Sequence, residues 1–144
     1  MLSVIAKNEN NWITYELLVD SIADWCYEKF GESKFQEYLP WTDVENDSDL
    51  ELKGEYDGSD NTIIIYSKYI DNIDDLISTV IHEYTHYLQS PGWYTRYANT
   101  LNKNDDHPYE SQAESVAKTH AKKCKQDLHL TNKHLPKLIC TPGS

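Results

Sequence analysis

Apolar residues recur along the chain at two periods. Between residues 12 and 30, Tyr15, Leu18, Val19, Ile22, Trp25, Cys26 and Phe30 fall three and four apart. That spacing puts an apolar stripe on one helix face, and Gly31 follows as a stop. A second stripe runs through Ile73, Leu76, Ile77, Val80, Ile81, Tyr84 and Leu88. Asn72 can cap its start, Asp74 and Asp75 suit the positive end of the helix dipole, and Pro91-Gly92 closes it. A helix is therefore expected over residues 72–90. A third helix is expected over residues 107–125, with Pro108 at its first position. Its Ala113, Ala117, Ala121 and Cys124 form a stripe of small residues suited to close packing against another helix.

Between the first and second helices the period changes to two. Residues 50–57 alternate, and Thr62-Ile63-Ile64-Ile65-Tyr66 is β-branched and aromatic. Residues 58–61 have turn composition, so the two runs read as an antiparallel hairpin. The second strand is expected to keep a free edge, on which an extended peptide can be laid by strand addition. Residues 35–39 also alternate and form a weaker candidate strand ahead of Pro40. Asp43, Glu45, Asp47 and Asp49 alternate in an acidic loop, but the glycine of a calcium loop is missing and no calcium site is expected. Residues 126–144 read as a loosely structured tail; His120, Cys124, His129, His134 and Cys140 match no compact zinc spacing. The expected fold is a single α+β domain over residues 1–144. In it a small antiparallel or mixed sheet packs against the helix of residues 72–90 and the helix after it, with an N-terminal helix alongside.

Composition narrows the classes of partner. A formal charge of −11 opposes binding to nucleic acid or an anionic membrane, since both are polyanions. No stretch reaches the ~20 apolar residues of a membrane span, and the first residues turn polar too soon for a signal peptide. Three cysteines without framework spacing suit a reducing compartment, and a cytoplasmic location is expected. Cys26 reads as a small buried hydrophobe.

The second helix carries the chemistry. His82-Glu83-Tyr84-Thr85-His86 is an H-E-x-x-H motif. Residues four apart lie one above the other on a helix, so His82 and His86 can hold one metal ion from adjacent turns. Glu83, rotated by about 100°, can reach a water on that metal without ligating it. From this composition a chance match is about 2%, which makes the helical context decisive. Zinc in a catalytic site takes three protein ligands and a water, so a third ligand is required. Glu110 and Glu114 share the small-residue stripe of the third helix. A carboxylate facing a packed interface is costly unless it is paired or bound to metal. Glu110 is the expected third ligand and Glu114 the partner for the outer N–H of a ligating histidine; the reverse assignment stays open. His107, Tyr109, Tyr94 and Tyr97 are candidates for contacts to the substrate or an oxyanion. Arg96 is a candidate for holding a substrate carboxylate.

H-E-x-x-H on a helix, followed by a later helix bearing Glu110 and Glu114 in a Glu-x-x-Ala-Glu setting, resembles the gluzincin class of zinc metallopeptidases. The small size, with a hairpin leading into the motif helix, is similar to the phage-repressor-cleaving members. The likeness covers about residues 50–121, and the glycine and histidine of the metzincin extension are absent. It implies one zinc ion per chain on His82, His86 and Glu110, with Glu83 as general base and Glu114 supporting a ligand. It also implies hydrolysis of a peptide or protein substrate by zinc-activated water. Two alternatives are an inactive zincin serving as a metal-dependent protein-binding module, and a latent enzyme in which Cys140 takes the open zinc position.

Overall fold

The computed structural model describes residues 14–47, 49, 51–91 and 107–135. Among them are three α-helices and one three-stranded sheet: α1 (Tyr15–Phe30), β1 (Trp41–Glu45), β2 (Gly54–Asp57), β3 (Thr62–Tyr66), α2 (Ile73–Leu88) and α3 (Pro108–Asp127). Short 3-10 turns follow β3 at Ser67–Tyr69 and α3 at Asn132–His134.

The helices start and stop where local chemistry requires. Thr14 caps α1 by accepting from the Leu17 amide, and Gly31 ends it at φ 81°, a conformation costly for any residue with a Cβ. Asn72 caps α2 through the Asp75 amide, while Asn132 accepts from the amide of Ile73. The last helical residue of α2 is Leu88, three before Pro91.

The sheet is mixed. β3 lies in the centre, antiparallel to β2 and parallel to β1. This corrects two expectations. Residues 35–39 are not a strand; the strand begins after Pro40, at Trp41. Thr62–Tyr66 has no free edge, because it is paired on both sides; among the described residues the open edges belong to β1 and β2. The amide of Tyr66 bonds the carbonyl of Lys53. By the alternation of an antiparallel ladder, Glu55 and Asp57 then exchange bonds with β3, and the N–H and C=O of Gly54 and Tyr56 point to the open edge.

Ile63 and Ile65 project from one sheet face into a core shared with Leu18, Val19, Ile22 and Cys26 of α1 and Leu76, Ile77, Val80 and Ile81 of α2. β2 approaches α2 closely: a Cβ on Gly54 would lie 2.8 Å from Thr79 Cγ2. Tyr56 stacks edge-on against Tyr87, with ring centroids 6.2 Å apart. α3 packs on α2 through buried Ala113, Ala117 and Cys124. Of the expected tail, residues 126–135 pack as structured chain. Leu128 and Leu130 are buried, and Thr131 and His134 form a reciprocal cap on the turn they flank. Among the described residues no helix is long and apolar enough to cross a membrane.

Candidate metal centre

α2 aligns His82 and His86 one turn apart, and the first turn of α3 brings Glu110 opposite them. His82 Nε2 lies 3.1 Å from Glu110 Oε1, His86 Nε2 lies 3.2 Å from the same oxygen, and the two Nε2 atoms are 3.3 Å apart. Among the described residues this is the one group of three His, Cys, Asp or Glu side chains able to hold a metal ion. The spacing fits such an ion. Ligands about 2.0–2.1 Å from a tetrahedral zinc stand roughly 3.3 Å from one another. Two ring nitrogens and a carboxylate oxygen converge here, at distances that ring N–H donors to the carboxylate or a shared metal ion both fit.

The surroundings of each ligand set its state. Hydrogen bonds from His82, then from His86, hold the Glu110 carboxyl well below the usual carboxylate range. For His86, burial pulls the pKa down, but hydrogen bonds to Glu110 and Gln89 outweigh it and the net shift is upward. The other nitrogen of His86, Nδ1, lies 2.6 Å from Gln89 Oε1. Gln89 in turn donates from its amide nitrogen to the Tyr109 carbonyl at 3.0 Å and to Gln112 Oε1 at 2.7 Å. Sequence reading missed Gln89. The available signal was its position three residues after His86, which puts both side chains on one helix face.

Glu83 is on the inner side of α2, only 7% exposed. It makes no hydrogen bond or ion pair among the described residues. Burial pushes its carboxyl up to about 7, against the pull of His82 and His86 and with smaller upward contributions from Glu110 and Glu55. A buried carboxylate without a partner is expensive, and such groups collect at functional sites.

Glu114 is at the rim of the α2–α3 contact, 78% exposed, not within it as its place on the small-residue stripe suggested. Its Oε1 is 3.6 Å from His82 Nδ1, inside ion-pair range but beyond a hydrogen bond. His107 caps α3, its Nδ1 accepting the Tyr109 amide at 3.0 Å. Tyr109 lines an apolar groove with Phe30, Phe35, Leu88 and His120. Tyr94, Arg96, Tyr97 and Cys140 lie outside the described residues. A separate cleft of about 380 Å³ opens beside the centre, lined by His86 and Glu110, by Glu55 and Tyr56 of the open-edged β2, and by Gln36 and Gln89.

No protein-family model, curated protein or solved structure matches the chain.

Proposed function

We propose that the chain is a zinc-dependent peptidase of the gluzincin type, with a zincin-like pairing of motif helix and ligand helix and a peptide or protein substrate. The observation that carries this reading is Glu83. A carboxylate is held buried, with no hydrogen bond or ion pair among the described residues, one residue from a converging His82–His86–Glu110 group, where a general base is needed. Two imidazoles and one carboxylate are the donor set that favours zinc over magnesium or calcium.

Zinc on these three side chains would lower the pKa of a coordinated water and polarise a carbonyl. The protein's own part is proton transfer and positioning. Glu83, buried beside the three side chains, would take a proton from the coordinated water and return it to the leaving amine. β2 lies on the cleft with the backbone groups of Gly54 and Tyr56 unpaired by the sheet, so an extended peptide can add there as a fourth strand. This moves substrate binding from β3, where the sequence suggested it, to β2.

The test is elemental analysis of protein purified without added metal, followed by a peptide-library cleavage screen. About one zinc per chain is expected, lost in Glu110→Ala. Cleavage is expected from the wild type and not from Glu83→Gln, which should keep its zinc. A wild type that takes up no metal when zinc is offered would overturn the reading. Zinc without any cleavage would replace it with the binding-module alternative.

A further inference from the structure

We infer that Gln89 is the positioning residue of this centre: it fixes the tautomer of His86 and ties that ring to the turn carrying Glu110. The inference rests on the proposed metal site and extends it to a residue that touches no metal.

The argument begins from a group whose polarity is fixed. The carbonyl of Tyr109 can only accept a hydrogen bond. The Gln89 atom 3.0 Å from it is therefore the amide nitrogen, and the amide oxygen must face His86. That oxygen also can only accept, so His86 Nδ1, 2.6 Å away, carries the hydrogen. When the ring is doubly protonated its Nε2–H donates to Glu110; once that proton is lost, the proton held on Nδ1 by Gln89 leaves a lone pair on Nε2, the atom that points at His82 and Glu110. The orientation of one glutamine amide, set by a backbone carbonyl, thus keeps a proton on Nδ1 and turns Nε2 toward His82 and Glu110. The second amide hydrogen goes to Gln112 Oε1 at 2.7 Å, so both donors are used.

The same side chain joins two elements. Gln89 is the C-cap of α2, and its backbone N–H bonds the carbonyl of His86. Tyr109 immediately precedes Glu110 in the first turn of α3. Gln89 therefore spans from the second ligand to the backbone beside the third. A shift at either end moves the Nε2–Oε1 distance that defines the site. Loss of an outer partner of a ligating histidine typically weakens metal binding 10–100-fold.

The experiment compares wild type, Gln89→Met, Gln89→Asn and Gln89→Glu. Met keeps the length and loses every hydrogen bond, Asn is one methylene short, and Glu keeps only the acceptor toward Nδ1–H. Zinc affinity is read by chelator competition, coordination by the visible bands of the cobalt-substituted protein, and the tautomer by ¹⁵N spectra of the metal-free protein above the titration of His86. Gln89→Met and Gln89→Asn should bind zinc about 10–100-fold more weakly and shift the cobalt bands. Both should also lose the excess of Nδ1–H tautomer seen in the wild type. Gln89→Glu should retain that tautomer. A glutamine that merely bridged two helices would lower thermal stability and leave tautomer and cobalt spectrum unchanged, which would overturn the inference. So would zinc affinity within about twofold of wild type in both Met and Asn variants. If one variant fails to fold, the other carries the test. A wild type that binds neither zinc nor cobalt overturns the metal site itself, whereas intact binding that is insensitive to Gln89 and lost in Glu110→Ala overturns this inference alone.

Discussion

Glu83 and Glu110 are carboxylates with opposite assignments. Two imidazoles facing Glu110 keep it ionised, whereas burial pushes Glu83 toward its neutral form. Environment, not residue type, sets the two carboxyls apart, as the proposed ligand and the proposed base require. The sign of the Glu83 shift has a stability consequence. An acid whose folded pKa lies above its unfolded value binds extra protons when folded, so stability falls as pH rises between the two. For Glu83 that window runs from 4.5 to about 7. Metal-free wild type and Glu83→Gln are expected to be equally stable below the window. Above it the Gln variant should be more stable, by at most about 3 kcal/mol. Urea unfolding at pH 4 and pH 8 measures the difference, and no change between the two pH values would contradict it. At this scale the sequence was most legible in His82, Glu83 and His86, because their relative placement depends on spacing within one helix. Glu110 needed the fold to bring it across, and Gln89 was invisible because glutamine is common on helix surfaces and only its partners distinguish it.

Among the elements, the α2–α3 pair builds the centre. The small stripe read from the sequence is the packing surface: Ala113, Ala117 and Cys124 are buried and let the helices approach. Ala117→Leu would overpack this contact and is expected to destabilise by about 1–3 kcal/mol. Because Glu110 lies two turns away on the same helix, the variant should also weaken zinc binding. Denaturant unfolding and chelator competition check the two effects separately. The helices were legible because their period and caps are local. The sheet was legible only in part. The hairpin of β2 and β3 has a turn between its strands, but β1 pairs with β3 across the length of β2 and no nearby residue announces it. Its sequence also hides it: only Thr42 and Val44 face inward, and two of its five residues, Asp43 and Glu45, are acids on the exposed side. The placement of a free edge on β3 failed for the same reason. A strand's neighbours on its far side are not written in its own sequence.

At the scale of the whole molecule, the first described helix and the residues after α3 share one core. Residues beyond Asp127 contribute the buried Leu128 and Leu130, and Asn132 caps α2 from the far end of the chain. For residues 126–135 the expectation of a loose tail is corrected, because two leucines in a polar stretch give no periodicity, yet each fills the core. Truncation after Asp127 should cost about 3–6 kcal/mol, an upper estimate from burying two leucine side chains. Truncation after Leu135 keeps those contacts. Thermal unfolding of the two truncated proteins should differ clearly in midpoint. Metal binding should act on the molecule as a unit, because its ligands come from both α2 and α3. At free zinc 1,000 times Kd the folded state gains about 4 kcal/mol, or roughly 10 °C in Tm for a chain of this size. Adding chelator should remove that gain from the wild type and leave Glu110→Ala unmoved.

The order of strands, β1-β3-β2, has a consequence for how the chain reaches its native state. β2 and β3 meet across a turn of four residues, whereas β1 must wait for β3 to arrive from the far side of that hairpin. Contacts close in sequence form early because little chain entropy opposes them, and the parallel pair is the late, slow closure. Truncating Ile63 to Val should therefore slow folding, whereas truncating Val44 to Ala should chiefly speed unfolding. The open edge of β2 beside the cleft would exist in the transition state, before β1 has joined the sheet.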